Sequence, residues 1–310
     1  MSVPTTVPMR RGLLLVAIAA TAWGSGGAVA EILYRTTGLG PIGVCWWRLL
    51  IGAAVLTGVR LVRRPDDRAP VDRWRTLAIG VGLAIAQAAY FGAVADIGVA
   101  VATMVTLGAG PVLVAVGARF TLGERLSPLG LVTVVIAVAG LALLTSGAAT
   151  AGARPALGVG LALLAAAGQA LTTVLSRATG DRAASATAVC WIGAVGLAPF
   201  ALFTGALPGH GVPIDTAGWL LYLGTVPTAL AYLLFFAGLA TVPATVASVV
   251  ILLEPVSAAV IAVGLLGERL AVPAIVGGAV LLGAVTMTSV VSGRAAAAAD
   301  RRIRLPCQRK

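Results

Sequence analysis

Charged side chains are scarce in this sequence. Only 11% of the 310 residues are charged, whereas 59% are hydrophobic and the mean hydropathy is +1.01. A soluble domain of this size needs far more charge to cover its surface. The composition therefore excludes an ordinary water-soluble protein and favours one that lies mostly within a lipid bilayer.

Residues that supply catalytic and metal-binding groups are also few. The chain has one histidine, His210, one lysine, Lys310, and three cysteines that form no CxxC pair. Neither a zinc-ligand cluster nor a Ser–His or metal-hydrolase site within the membrane can be assembled from this set. A Walker A motif is excluded because it needs a lysine followed by serine or threonine. We therefore predict a protein that is not an enzyme and needs no metal ion or cofactor.

Long charge-free runs fill the chain between the few charges. A membrane-spanning helix needs about 20 mainly apolar residues, and the runs predict ten such helices. They lie at approximately 12–32, 41–60, 75–95, 98–118 and 127–147, and then at 156–176, 184–205, 217–238, 243–266 and 271–292. The first run also resembles a signal peptide, but we expect it to be retained because it has a counterpart in the second half.

The two halves of the chain are similar in sequence. PVLVAVGARFTLGERL (111–126) and PVSAAVIAVGLLGERL (255–270) align without a gap at an offset of 144 residues, with ten of sixteen positions identical. Because each half holds an odd number of spans, equivalent helices must cross the membrane in opposite directions. The sequence therefore predicts an all-α, polytopic membrane protein whose ten transmembrane helices form two inverted five-helix repeats.

Basic residues predict the orientation. With the N-terminus inside, 18 of the 22 basic residues lie in cytoplasmic segments and three lie outside, which places both termini in the cytoplasm. The predicted segments are a cytoplasmic N-terminal segment (1–11), the first repeat (12–147), a loop (148–155), the second repeat (156–292) and a basic cytoplasmic tail (293–310).

The net charge of +11 lies in short segments between the spans and in the tail. This placement fits contact with anionic lipid head groups, and it leaves no folded basic domain that could bind nucleic acid. The heavy use of arginine, alanine and glycine is typical of a GC-rich bacterial genome. We therefore expect a multi-pass protein of a bacterial inner (plasma) membrane.

Several motifs resemble those of a transporter family. AWG (22–24), WWRLL (46–50) and the stretch LLEPVSAAVIAVGLLGERL (252–270), within two five-helix repeats, are similar to the EamA branch of the drug/metabolite transporter superfamily. The resemblance covers nearly the whole chain and implies a ten-helix carrier. Such carriers are usually exporters of amino acids, related small metabolites or amphiphilic drugs and toxins. The first half departs from the pattern at Gly110, which stands where the second half has Glu254.

Glu254 is the one charge between residues 242 and 266, and Pro255 follows it. A charged acid at mid-bilayer costs about 2.5–3.5 kcal/mol or more, so it should face water or a partner. We hypothesise that its carboxyl faces a cavity and couples proton movement to substrate movement. The alternatives are substrate contact without proton coupling, and a local role in satisfying backbone groups freed by Pro255. Pro111 and Pro255 both lack an N–H and predict helix breaks, either as hinges or as packing kinks.

Other polar or aromatic residues within the spans are further candidates. Arg48 lies about seven residues, or roughly 10 Å, inside the outer end of its helix. It could snorkel outward, pair with Glu31 or Asp96, or contact a substrate carboxylate. Aromatic faces can hold a cationic or aromatic ligand and amides can orient a zwitterion, although packing is the alternative role. These candidates are Trp23, Gln87, Tyr90, Gln169, Trp191 and Tyr232.

The function that these features predict is secondary active transport of a small molecule, with export and proton coupling through Glu254 as the working hypothesis. A channel or a structural membrane subunit without coupled transport is the alternative. A neutral, zwitterionic or cationic substrate fits better than a phosphorylated sugar, because a dianion would need several buried cations and Arg48 is the single one. The sequence leaves open whether the protein acts alone or as a homodimer.

Overall fold

The structure, a computed structural model, describes residues 9–63, 73–97, 99–124, 128–144, 154–177, 182–204, 215–266 and 271–304. Regular structure in these residues is helical throughout, as the sequence predicts. The first half contains α1 (Met9–Thr37), α2 (Pro41–Arg63), α3 (Arg73–Ile97), α4 (Val99–Thr121) and α5 (Pro128–Leu144). The second half contains α6 (Pro155–Arg177), α7 (Arg182–Phe203), α8 (Asp215–Gly224), α9 (Ala231–Leu239), α10 (Ala244–Val250), α11 (Leu253–Leu266) and α12 (Val272–Arg304), with a π-helical segment, Thr225–Leu230, between α8 and α9.

Helix length and hydropathy identify a multi-pass membrane protein. Eight helical segments of the described chain are long and apolar enough to cross a membrane, and two shorter apolar segments, Gly130–Leu144 and Val272–Thr288, accompany them. Leucine and phenylalanine side chains point out of the bundle, as Leu163 and Phe200 do with 45% and 54% of their surface exposed. Such a surface is stable against lipid tails but not against water. The shorter segments, in α5 and α12, decide whether the spans number eight or ten.

Helix packing follows the same pattern in the two halves. α1 packs against α9 and α11, while its counterpart α6 packs against α3 and α4. α2 contacts α8 and the π-helical segment, as its counterpart α7 contacts α3. The pairs α2–α7 and α5–α12 each join a helix to its own counterpart. Exchanging the halves therefore leaves the main packing scheme unchanged.

The π-helical segment interrupts the predicted span 217–238 at Pro227. A proline has no N–H, so the Leu223 carbonyl loses its usual helical donor. The buried hydroxyl of Thr228 donates to this carbonyl at 2.7 Å instead. A hydrogen bond from serine or threonine is one of the few ways to satisfy a freed carbonyl inside a membrane.

The span 243–266 is also interrupted, and here the break comes before the proline. α10 ends at Val250 and α11 begins at Leu253, with a turn between them. Pro255 cannot donate to the Ile251 carbonyl, and the backbone N–H of Glu254 donates to it at 2.8 Å. The helix break predicted at Pro255 therefore lies at Ile251–Leu252.

α4 is not interrupted at Pro111, and a hinge or packing kink there stays a prediction. α4 runs from Val99 to Thr121 without a turn, and Pro111 lies inside it. One proline removes a single hydrogen bond from a helix, and the bonds on either side of it can hold a transmembrane helix together. The two repeats therefore differ at this position: a continuous helix in the first half and a broken one in the second.

Helix α12 is longer than the sequence predicts. It continues to Arg304, whereas the predicted basic tail begins at residue 293. The helix therefore extends into the segment predicted as a basic cytoplasmic tail, whose location stays a prediction, and residues 305–310 lie outside the described part. The extension has a local cause, because the five alanines at 295–299 have the highest helix propensity of any residue.

The first LGER motif ends α4. Gly123 has a φ of +67°, and the N–H groups of Leu122 and Glu124 both donate to the Ala118 carbonyl, at 2.9 and 3.2 Å. A positive φ at a helix C-terminus is the conformation that glycine adopts without strain. Gly123 therefore marks the C-terminus of α4. Gly267, in the second motif, lies outside the described residues.

Helices α5 and α12 come into backbone contact at two glycines. A Cβ atom added to Gly277 would lie 2.5 Å from the Gly140 carbonyl oxygen, and one added to Gly140 would lie 3.0 Å from the Gly277 carbonyl oxygen. Real Cβ atoms do not approach a backbone oxygen at 2.5 Å. Small residues allow such close packing in membranes, where dispersion contacts replace the hydrophobic effect between helices. This contact joins the two shortest apolar segments of the bundle.

We expect Gly277→Ala to destabilise the protein and Gly278→Ala to leave its stability almost unchanged. Both substitutions raise helix propensity equally, but a Cβ at Gly278 meets nothing closer than the Leu144 side chain at 3.8 Å. Overpacking of a tight contact costs about 1–3 kcal/mol. The melting temperatures of the two purified variants in detergent provide the measurement. Equal values would contradict the close α5–α12 contact.

Candidate functional site

A cavity of about 250 Å³ lies between the two halves, lined by α1, α2, α3, α4, α6, α9 and α11. Seven of the residues that the sequence predicts as site residues line it. They are Trp23, Arg48, Gln87, Tyr90, Gln169, Tyr232 and Glu254. Trp191 does not line this cavity, because its half-exposed ring lies on the outer surface of α7, where its Nε1 donates to Thr57 at 3.0 Å. The predicted roles of the seven residues remain predictions.

The cavity lies closer to one end of the bundle than to the other. At the closer end α3 ends and α6 begins, beside Asp96 and Arg154, and we call this the Arg154 end. Tyr34 and Arg48 line the cavity towards this end. On α6 the cavity reaches Gln169, eight residues or about 12 Å short of the opposite end at Arg177. The cavity therefore runs from the middle of the bundle towards the Arg154 end.

The backbone at Glu254 is held by other groups than its carboxyl. Its N–H donates to the Ile251 carbonyl, and its carbonyl accepts from the Ser257 hydroxyl at 3.1 Å. Gly24 of α1 lies against this backbone, since a Cβ there would be 2.5 Å from the Glu254 carbonyl oxygen. The carboxyl is therefore not required for the backbone groups that Pro255 frees, and Glu254 lines the cavity.

Arg48 lies in the cavity wall without a carboxylate partner among the described residues. Its Nε is buried and has no hydrogen-bond partner, and no described carboxylate approaches its guanidinium within 4.0 Å. The predicted pairing with Asp96 is wrong, because Asp96 accepts from Arg154 at 3.0 and 3.1 Å. Arg48 and Glu254 line the same cavity. The side chain of Glu31 lies outside the described part of the structure.

Aromatic rings form one wall of the cavity. Trp23 meets Tyr232 and Phe235 edge to face, with ring centroids 5.5 and 5.2 Å apart. Edge-to-face packing of this kind fixes ring orientation and adds about 0.5–1.5 kcal/mol per pair beyond area burial. Only 4% of Tyr232 is exposed. The ring cluster is therefore a rigid surface that also belongs to the hydrophobic core.

The polar groups near Tyr90 are partly satisfied within the protein. The Tyr90 hydroxyl and the Thr103 hydroxyl form a hydrogen bond of 2.7 Å, and the Gln87 amide donates to the Cys45 sulfur at 3.1 Å. Sulfur is a weak acceptor, so the Gln87 amide retains hydrogen-bonding capacity for a ligand. These contacts place α2, α3 and α4 around the same part of the cavity.

Sequence reasoning missed the polar residues that α4 contributes. Thr103 and Thr106 line the cavity, and Thr106 also donates to the Ala162 carbonyl of α6 at 3.2 Å. Their spacing of one helical turn, continued at Gly110, is a sequence signal for a shared polar face. Tyr34 also lines the cavity without having been predicted.

The opposite end of the bundle is closed by a polar contact between the halves. Glu124, which follows α4, accepts from the N–H of Ala244 at 3.2 Å and lies 3.8 Å from the Arg177 Nε. Arg177 also donates to the Ala240 carbonyl at 3.1 Å. α10 has no side-chain cap of its own, so a carboxylate from the other half stabilises its N-terminus. A buried layer lies beneath, formed by Val114, Ala118, Ala170, Val174 and Ala244.

Comparison with known proteins agrees with this architecture. Among curated proteins none matches the chain in sequence, but 29 chains of solved structures are similar to it. One of them, described only as the crystal structure of a protein, superimposes with a TM-score of 0.75 at 19% identity, covering 91% of this chain and 98% of that one. At this identity the likeness shows the fold alone.

A family model adds the activity class to the fold. The model of the EamA-like transporter family matches residues 10–146 and again residues 156–290. The two matches together span most of the chain, and they coincide with the two halves whose helices surround the cavity. The chain therefore belongs to the EamA-like transporter family, within the drug/metabolite transporter superfamily, and is a membrane transport protein.

Proposed function

We propose that the protein is a secondary active exporter of amino acids, related small metabolites or small amphiphilic compounds, and that Glu254 couples export to proton movement. The observation that carries the proposal is the position of Glu254, which lines a cavity between the halves beside a helix break. Substrate sites of secondary transporters lie between repeats near the midplane, where discontinuous helices meet. No covalent chemistry is required of any residue.

The proposal includes ten spans, in two inverted repeats, with both termini in the cytoplasm. α5 and α12 then complete the two halves. The exchange symmetry of the packing supports this arrangement, because α5 packs against α12 as α2 packs against α7. In this orientation the Arg154 end is external and the Arg177 end is cytoplasmic, so that the cavity lies on the external side. Basic segments at the cytoplasmic end would contact anionic lipids of a bacterial inner membrane.

Alternating access would require the Arg177 end of the bundle, which is closed in this structure, to open. The Glu124–Arg177–Ala244 contact and the apolar layer beneath it separate the cavity from the cytoplasmic end. Loading from the cytoplasm requires α4, α6 and α10 to move apart there, while the Arg154 end closes. Packed helices switch between discrete arrangements rather than deforming continuously, which suits a carrier with two states.

Proton coupling follows from competition at one carboxyl. An ionised Glu254 in the middle of the bilayer is unfavourable unless it faces a cation or water, and binding of either a proton or a cationic substrate group removes that cost. The two events therefore compete. Release of substrate into the external cavity would be driven by protonation of Glu254, and return of the protonated carrier would carry the proton inwards.

A channel or a structural subunit without coupled flux is the alternative function, and a homodimer is the alternative to a monomer. The polar closure at the Arg177 end argues for a gated carrier, because an open pore has no need of such a contact. Saturable, gradient-driven flux in proteoliposomes separates a carrier from a channel.

We predict that reporter fusions placed after residues 70 and 300 are cytoplasmic and that a fusion after residue 211 is external. The reason is the excess of arginine on one side of the predicted spans. Alkaline phosphatase and green fluorescent protein fusions provide paired readouts at each site. An external signal at residue 300 would contradict both the even number of spans and the proposed orientation.

We predict that Glu254→Gln folds normally but loses proton-driven net transport by about tenfold or more, because glutamine keeps the shape and polarity of the side chain but cannot bind or release a proton. Substrate exchange without a gradient is expected to continue. Net flux and counterflow in proteoliposomes, with and without an imposed proton gradient, provide the measurement.

Glu254→Asp is the matched control for this prediction. It keeps an ionisable carboxyl at the same backbone position, so part of the gradient-driven flux should return. If a well-expressed Gln variant transports as fast as the native protein under a proton gradient, Glu254 does not couple protons.

A further inference from the structure

We propose that Arg48 binds a carboxylate of the substrate, so that the transported molecules are zwitterions with a carboxylate beside an ammonium group, rather than simple cations. This inference rests on the proposed transport function and narrows its substrate class. Among the described residues of the cavity, Arg48 and Glu254 carry charge, and the proposal assigns them to the two charged groups of one ligand, with Glu254 facing the ammonium group.

The first argument is the state of the Arg48 side chain. A guanidinium has five donors and remains charged at all physiological pH values. The Arg48 Nε is buried and makes no hydrogen bond, and Asp96, one of the two acids considered as its partner, is held by Arg154. A charge inside a membrane protein is unfavourable unless it meets a partner or water. A ligand carboxylate supplies the missing acceptor through two parallel N–H···O bonds.

The second argument is the separation of the two charges. Arg48 and Glu254 line the same cavity, yet no ion pair within 4.0 Å joins them in the described structure. A cavity of about 250 Å³ lies between the helices that carry them. A zwitterion can place its carboxylate at Arg48 and its ammonium group at Glu254, which neutralises both residues at once.

The third argument comes from the repeat. VCWWRLL (44–50) aligns with VCWIGAV (189–195), so Gly193 stands where Arg48 stands in the first half. In the same way Gly110 stands where the second half has Glu254. Each half therefore contributes one charge to the cavity, and each charge has a glycine as its counterpart. The site is asymmetric, and a dipolar ligand would bind in one orientation, with its carboxylate on the α2 side.

The same arrangement selects against other ligands. A simple cation would neutralise Glu254 but would leave Arg48 unpaired and would be repelled by it. A dianion would find one cation and one repelling carboxylate. The rings of Trp23 and Tyr232 line the same cavity as the two charged residues, and an apolar side chain of the ligand would pack against them.

The test uses matched ligands that differ in a single charge. Leucine and phenylalanine are the zwitterions, their amides lack the carboxylate, and their N-acetyl derivatives lack the ammonium group. Binding of each probe to the purified full-length protein is measured by ligand-induced stabilisation and by calorimetry. We expect the native protein to bind at least one zwitterion about tenfold or more tightly than its amide, as for loss of a bidentate charged contact.

Variants then assign the preference to residues. Arg48→Gln should abolish the preference for the zwitterion over the amide, and Arg48→Lys should retain part of it because a single charge remains without the bidentate geometry. Glu254→Gln should keep that preference and lose the preference for the zwitterion over the N-acetyl derivative. The cross-over between the two variants is a result that general unfolding would not produce.

Glu31→Gln is the control for a structural ion pair. If Glu31→Gln removes the acid-over-amide preference as Arg48→Gln does, Arg48 serves an internal pair and the inference is overturned. Equal binding of amide and zwitterion by the native protein would overturn it without any variant. Proton-driven flux of a cationic amphiphile, with no binding of zwitterions, would also overturn it and would leave the proposed transport function standing.

Discussion

Every backbone hydrogen bond inside a membrane must be made within the protein, and this constraint determines where the cavity can form. Two predicted spans of the second half are interrupted, and at each interruption a nearby group donates a hydrogen bond to the carbonyl that a proline leaves without a donor. The Thr228 hydroxyl satisfies the carbonyl that Pro227 leaves, and the Glu254 N–H satisfies the carbonyl that Pro255 leaves. Since the backbone is complete without it, the Glu254 carboxyl is available to the cavity. A site with a carboxylate at this depth depends on those two hydrogen bonds.

Close helix approach positions the site once the breaks are satisfied. Gly24 brings α1 against the backbone of Glu254, and the preceding residue, Trp23, joins α1 to α9 through its edge-to-face contact with Tyr232. A larger residue at 24 would push α11 away, because its Cβ would lie within 2.5 Å of two oxygen atoms. The AWG motif therefore supplies both Trp23, an aromatic residue that lines the cavity, and Gly24, a small residue that allows α1 to pack closely against α11.

Much of this fold could be predicted from the sequence, because polar groups have few places to go in a bilayer. Glu254, Arg48 and Tyr90 lie within apolar runs and had to face a cavity or a partner, and they line one cavity. Contacts between distant residues could not be predicted in this way. Asp96 had two basic residues within reach of the same membrane face, and only the packing of α3 against α6 decides for Arg154. Pro111 shows the same limit, because the effect of a proline on a helix depends on the groups that surround it.

Glu124 gives the first LGER motif a role beyond ending a helix. Gly123 turns the chain after α4, and the next residue reaches α10, a short helix without a cap of its own. α10 leads directly into the break that carries Glu254. A movement that releases Glu124 from the N-terminus of α10 would therefore act on the backbone that positions the cavity carboxyl, only one short helix away. The contact that closes one end of the bundle and the residue proposed to sense protons are thus mechanically linked, which is the property that coupled transport requires.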